Sequence, residues 1–302
     1  MNFDHYQVFL KVGQRLSFTL AARDLYTSQP SVSRSIQNLE NELGCKLFLR
    51  NKHGVTFTPE GRTLYEYVSN AFRELQKGEE AISADATGEH GTVAMTATVT
   101  ALDEFLFACL DAFHAHYPKI RFRISSVSSN ASIDKLRSGA VDVAFITSPY
   151  QSYSDITTQT LMNFPNVVIA GKGMTALKEG THTLEELSDY EFVSLPQSMQ
   201  LRQYEQHVFR EASLSPNTVA EVDSASTVIP MVSHNLGLGI VPYSLAKNAI
   251  EAGEVFVVKL AKPLPLRQVV MAIRSEERLT SAALLFTKFA ARLAKDREAK
   301  AH

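Results

Sequence analysis

The segment Ser28–Leu43, SQPSVSRSIQNLENEL, holds the side chains of this chain that are best placed to do chemistry. Pro30, Ser33, Arg34, Gln37 and Asn41 recur at steps of three and four, so at about 100° per residue they share one side of a helix. Their hydroxyl, amide and guanidinium groups donate and accept hydrogen bonds in the patterns that read base edges in a DNA groove. Gln29, in the first turn, adds a further amide. On the opposite side Val32, Ile36, Leu39 and Leu43 form an apolar stripe. Ser28 is placed to cap the first turn, where Pro30 is tolerated because no backbone donor is needed. Taken alone, the polar side is equally open to two readings, a solvated face or a recognition face.

Other chemistry finds little support. His114 and His116 have no carboxylate pair at metal-ligand spacing, Gly237-x-Gly239 lacks the rest of a dinucleotide fingerprint, and no G-x-S-x-G elbow occurs. Cys45 and Cys109 are the two cysteines, far apart in the chain, and they read as small core residues rather than a disulfide switch or a zinc site. No enzyme, metal or cofactor is expected.

The neighbouring elements decide what the Ser28–Leu43 helix does. Residues 1–13 form an amphipathic helix, Ser17 caps a second (SFTLAARDLY), and Ala21 and Ala22 let another helix cross closely. With the short link at Tyr26-Thr27 this is a helix-turn-helix. Gly44 then supplies a left-handed C-terminus, and Lys46–Arg50 and Val55–Thr58 flank a turn at Asn51–Gly54, making a hairpin wing. Arg50 and Lys52 on that wing would reach phosphates. Residues 1–62 carry eight basic against five acidic side chains, a local +3 in a chain of net −2, so any nucleic-acid role is confined to this end. Thr58-Pro59 starts a long helix to about Ala84 whose stripe (Leu64, Val68, Phe72, Leu75, Ile82) is expected to meet a second copy of the chain.

The 302 residues, 45% apolar, suit two or three domains. The first thirteen residues lack the apolar run of a signal peptide, and no apolar stretch is long enough to span a bilayer, so a cytoplasmic protein is expected. Residues 85–91 (DATGEHG) read as a linker, after which strands and helices alternate, giving a doubly wound parallel sheet in two lobes with a crossover near 148–160. In such sheets ligands bind beyond the carboxyl ends of strands. That rule points to Thr98, Thr100, Ser128, Ser129 and Thr147 in the first lobe and Ser198, Arg202, Ser224 and Ser226 in the second. Arg202 is the cation among these loops: it either faces the cleft, favouring a carboxylate or phosphate ligand, or forms an ion pair on its helix.

The N-terminal motifs Ser17-Phe18-Thr19, Ala21-Ala22, Ser28-Gln29-Pro30-Ser31, Ser33-Arg34, Leu39-Glu40, Leu43-Gly44, Leu47-Phe48, Arg50, Gly54, Thr58 and Gly61 closely resemble the LysR-type transcriptional regulators. Leu136-x-x-Gly139-x-x-Asp142 and Gly237-x-Gly239-Ile240-x-x-Pro242 match more loosely. The resemblance implies an α/β protein overall: a winged helix-turn-helix (1–58), a long linker and dimerisation helix with a hinge (59–90), and a two-lobed α/β effector domain (91–302) of type II periplasmic-binding-protein-like architecture. The lobes are expected at 91–160 with 268–302, and at 161–267. Gln29, Pro30, Ser33 and Arg34 match family residues that meet the major groove, and Arg50 with the wing meets backbone. His53 stands where relatives often have Arg, and Thr56 where they often have a basic residue, which implies a weaker or more pH-dependent wing contact; His53 as a bystander in its turn stays open.

The implied partners are a double-stranded DNA operator, a small polar or anionic metabolite, and a second copy of the chain; the family commonly pairs dimers into tetramers, and RNA polymerase stays open as a contact. Two rivals remain: a two-lobed solute-binding protein, against which the first 62 residues speak, and a helix-turn-helix protein whose α/β part only oligomerises.

Overall fold

The computed structural model describes residues 2–51, 54–83, 90–276 and 279–301. The chain divides into an N-terminal unit that ends at Ser83 and a larger C-terminal one.

In the first unit α1 (Phe3–Arg15), α2 (Phe18–Asp24) and α3 (Gln29–Leu43) are followed by β1 (Phe48–Asn51), β2 (Gly54–Phe57) and α4 (Pro59–Ser83). The expected caps are in place: the Ser17 hydroxyl accepts from Leu20 N and that of Ser28 from Ser31 N, while Gly44 ends α3 at φ 72°. Thr58 Oγ1 donates to Lys46 O (2.7 Å) and accepts from Gly61 N (2.9 Å), tying the start of α4 to the entry of the wing. A β-carbon on Gly61 would lie 1.9 Å from Leu47 O, so only glycine lets α4 approach the entry of the wing this closely.

Val32, Ile36 and Leu39 are buried with Phe9, Val12, Ala21 and Leu47; Leu43, expected on the same stripe, is exposed at the last turn. The stripe of α4 is divided. Leu64, Val68 and Phe72 pack on this same core, with Phe72 stacked on Phe3 at 4.6 Å, whereas Leu75 stays 50% exposed. Much of the stripe expected to face a second copy is therefore used within the chain; the side chain of Ile82 lies outside those described.

Glu40 locks α3 to the wing. It is buried; its carboxylate accepts from Leu47 N (2.9 Å) and from Lys46 Nζ (2.7 Å), and more weakly from Phe48 N (3.5 Å). Burial pushes its pKa up, but Lys46 and the backbone amides outweigh that and hold it below the ordinary glutamate value.

The second unit begins with β3 (Gly91–Ala97) and a continuous helical run: α5 (Val99–Ala101), a π-turn (Leu102–Leu106) and α6 (Phe107–His116). Next come β4 (Ile120–Ser126), α7 (Ser129–Arg137), β5 (Val143–Thr147) and β6 (Thr157–Phe164). The chain then builds β7 (Asn166–Gly171), a short 3-10 turn (Thr175–Leu177), α8 (Leu184–Ser188), β8 (Glu191–Ser194), α9 (Gln200–Glu211), β9 (Asn217–Glu221) and α10 (Ala225–Ser233). It closes with β10 (Gly239–Pro242), α11 (Tyr243–Glu251), β11 (Val255–Val257), β12 (Arg267–Ile273) and α12 (Ser281–Ala301).

Five strands make the first-lobe sheet in the order β4-β3-β5-β12-β6. β3 is parallel to β4 and β5, but β12 runs antiparallel to both β5 and β6. The sheet is thus mixed rather than wholly parallel. β6, within and beyond the expected crossover, is a strand of this sheet, so residues 161–164 sit in the first lobe. The second lobe has a three-stranded sheet (β10-β7-β11) and a parallel pair (β8-β9). Its core centres on Phe192, Phe209 and Val232, and the first lobe's on Phe105, Phe113, Phe145 and Phe286.

Candidate functional site

On α3 the residues expected to read DNA are where the periodicity puts them. Ser28, Gln29, Pro30, Arg34, Gln37 and Asn41 are exposed and Ser33 is half-buried at the edge of the stripe. Arg34 makes no ion pair among the described residues. By contrast Arg15 is held by Asp24 at 2.7 Å. The face thus offers one unneutralised guanidinium amid amides, and the N-terminus of a fifteen-residue helix adds partial positive charge suited to phosphate. In the wing, Arg50 lies on β1 opposite Val55, and its side chain is not among those described. Lys52 and His53 lie outside the described residues.

The second site is a cleft between the two lobes of the C-terminal unit, with a cavity of about 250 Å³. Six of the expected residues line it: Thr98, Thr100, Ser128, Ser129, Thr147 and Ser224. Several are also caps, as residues at the ends of parallel strands are prone to be. Thr98 Oγ1 accepts from Ala101 N (3.1 Å), Ser128 Oγ from Ala131 N (3.3 Å) and Ser224 Oγ from Ser226 N (3.3 Å).

Ser198, Ser226 and Arg202 do not line the cavity. Arg202 instead turns into the second lobe, where it is buried; Nη1 donates to Glu205 (2.8 Å) and Nη2 to Thr218 Oγ1 (2.9 Å). Glu205 also accepts from Ser194 Oγ (2.8 Å), so the pair pins α9 to β8 and β9. Burial pushes the Glu205 carboxyl up against the pull of Arg202. Of the two alternatives open for Arg202, the ion pair on its own helix is the one formed, buried rather than on the surface. Its place among the cleft residues is corrected: its guanidinium already has its carboxylate.

The cleft's cation is Arg267, which the reading of the sequence did not select. It is 2% exposed and lines the cavity. Nε donates to Ser148 O (2.6 Å) and Nη2 to Thr147 Oγ1 (3.0 Å); the faces of Phe164 and Tyr204 lie 5.4 and 5.5 Å from its carbon centre. No carboxylate pairs with it among the described residues. Burial lowers its pKa to about 10, with Tyr204 pulling weakly the other way. The polar lining also includes Ser126, Gln200 and Asp223, which were not among the selected residues. Gln200 Nε2 donates across the lobes to Asn130 Oδ1 (2.7 Å).

Among the described residues no group of three or more His, Cys, Asp and Glu is placed to hold a metal ion. Both cysteines are free, and burial pushes the Cys109 thiol up to about 12, leaving it protonated and inert at neutral pH.

Residues 3–62 match the family described as "Bacterial regulatory helix-turn-helix protein, lysR family", and residues 86–295 match "LysR substrate binding domain". The chain belongs to the LysR family of transcriptional regulators. It is 27% identical over 249 residues to the HTH-type transcriptional regulator AlsR of Bacillus subtilis, covering 82% of each chain. Full-length CbnR complexed with its target DNA superposes with a TM-score of 0.73 at 19% identity, over 97% of this chain and 99% of that one. The effector-binding domain of QuiR in complex with shikimate gives 0.63 at 20% identity, over 68% of this chain and 98% of that one. These structural likenesses carry the fold. As a LysR-family regulator the chain is a DNA-binding protein with an effector-binding domain, not an enzyme.

Proposed function

We propose that a small anionic metabolite enters the cleft, binds Arg267, and thereby changes how the regulator holds its operator. The observation that carries this is a guanidinium buried in the lining of the cleft, with no carboxylate paired to it among the described residues. Such a group is costly to bury unpaired, and an entering anion supplies the missing partner in charge-assisted hydrogen bonds. The N-termini of α7 and α10, at Ser129 and Ser224, add partial positive charge on the same cavity. Because the cavity walls belong to both lobes, a ligand there has different contacts in open and closed arrangements, the requirement for shifting an equilibrium.

On this reading residues 1–58 form the winged helix-turn-helix, 59–90 the linker and dimerisation segment, and 91–302 the effector domain. Arg34 and Gln29 read bases, with Ser28, Pro30, Ser33 and Gln37 completing the face. Arg50, Lys52 and His53 contact the backbone from the wing. A homodimer supplies two such faces to two half-sites, in the cytoplasm where the DNA is. No helix among the described residues is long and apolar enough to cross a membrane.

Thermal unfolding of the full chain against small carboxylates, phosphate and sulfate tests the cleft. A ligand at a hundred times its Kd stabilises by about 2.7 kcal/mol, or roughly 5–10 °C for a domain of this size. The shift should vanish in Arg267→Gln. A panel without a single shift, or a shift retained in Arg267→Gln, removes the reading.

A further inference from the structure

The cleft carries two charges of opposite sign. Among the described residues lining it, Arg267 and Asp223 are the only charged ones. They come from different sides: Arg267 heads β12 in the first-lobe sheet, and Asp223 immediately precedes the cap of α10 in the second lobe. Neither is neutralised, since Asp223 makes no ion pair or side-chain hydrogen bond among the described residues. On the same lobe as Asp223 stands Gln200, 6% exposed, whose Oε1 is buried without a hydrogen-bond partner among the described residues while its Nε2 is committed to Asn130. From the first lobe Arg267 therefore asks for an anion, and from the second Asp223 offers a carboxylate and Gln200 an amide oxygen without a partner.

Resting on the reading of the cleft as an anion site, we propose that its ligand is a zwitterion, a small amino-carboxylate of the α-amino-acid type. Its carboxylate binds Arg267 and Thr147, and its ammonium group binds the Asp223 carboxylate and Gln200 Oε1. The size agrees. An apolar cavity of about 150 Å³ admits benzene, so the roughly 250 Å³ here fits a ligand of about ten non-hydrogen atoms. The charges select against neighbouring classes. A monocarboxylate leaves Asp223 and Gln200 Oε1 without donors, a dicarboxylate brings a second negative charge towards Asp223, and a neutral polyol leaves Arg267 without its anion. Because Arg267 and Asp223 sit on different lobes, a ligand that joins both favours their closed arrangement.

The test is calorimetric titration of the full-length protein with serine, leucine and glutamate, each paired with the same acid lacking its amino group. At least one amino acid is expected to bind tenfold or more tightly than its desamino partner, and Asp223→Asn should reduce that ratio towards one by weakening the amino acid alone. Asp223 is exposed, so this change leaves folding intact. A desamino acid binding as tightly as its partner, or a ratio unchanged in Asp223→Asn, overturns the zwitterion but leaves an anionic effector standing. Binding of inorganic anions or other carboxylates that is lost in Arg267→Gln, with neither series bound, has the same meaning. Absence of binding by every anion tried overturns both.

Discussion

Replacing Glu40 with Ala separates a buried ionic lock from a surface ion pair. Glu40 is 7% exposed at its side chain and Lys46 is 70% exposed, although they are joined by one 2.7 Å contact. Removing Glu40 leaves the amide of buried Leu47, now 2.9 Å from Glu40 Oε1, without an acceptor. Losing a hydrogen bond to a charged group and stranding its donor costs about 2–3 kcal/mol. Removing Lys46 leaves the backbone bonds in place and costs under about 1 kcal/mol, as for exposed pairs. Denaturant unfolding of the full chain, followed by a probe in the N-terminal unit, measures both. The pH dependence has a fixed sign. Glu40's pKa is lowered on folding, so its contribution is complete above the unfolded glutamate value and disappears as pH falls through the folded one. The gap between wild type and Glu40→Gln should be widest near neutrality and shrink under acid. Equal effects of Glu40→Ala and Lys46→Ala, or a gap that widens with acid, would refute the lock.

Arg34→Ala should weaken operator binding and flatten the preference among operator variants, by about 1–3 kcal/mol at the base it reads; fluorescence anisotropy with a set of mutated operators would show equal selectivity if the assignment were wrong. Arg202→Ala strands the buried Glu205 carboxylate and should cost about 3–5 kcal/mol. The melting temperature would report that loss, while ligand affinity in whatever protein stays folded at low temperature should hold; a selective loss of affinity would return Arg202 to the cleft. Gly61→Ala should destabilise the N-terminal unit, because its β-carbon meets Leu47 O at 1.9 Å and backbone cannot give way cheaply. Unfolding at wild-type denaturant concentrations would contradict that packing.

The N-terminal unit was legible because its signals are local. Ser17, Ser28 and Gly44 act within one turn of where they stand, and Val32, Ile36 and Leu39 repeat with the helix. α4 was harder, since periodicity shows an apolar stripe but not whether the partner is another copy or the chain's own Phe3. β6 escaped because its exposed edge face, TTQTLMNF, has little of the apolar alternation of an inner strand. The cleft shows the sharpest limit. The rule of looking beyond carboxyl ends found Thr98, Ser128 and Thr147 because β3, β4 and β5 are parallel. Arg267 stands at the amino end of β12, and only the antiparallel register, with Val269 opposite Thr147, brings that end to the same side. Arg202 had the right charge in the right loop, and the sequence left open both the cleft and an ion pair on its helix; Glu205, three residues on, decides for the ion pair. Arg267 did leave one trace, an arginine at the head of a strand that is apolar from Val269 onward, RQVVMAI.

The coupling between cleft and operator is measured most directly by titrating operator DNA, selected in vitro, with the full-length protein in the presence and absence of the best cleft ligand. Wild type should change its operator affinity by roughly 5–150-fold, the usual range of an allosteric coupling, while Arg267→Gln binds operator as the unliganded wild type does and ignores the ligand. An operator response retained in Arg267→Gln, or a wild type that binds ligand with no change in operator affinity, would contradict effector control through this cleft.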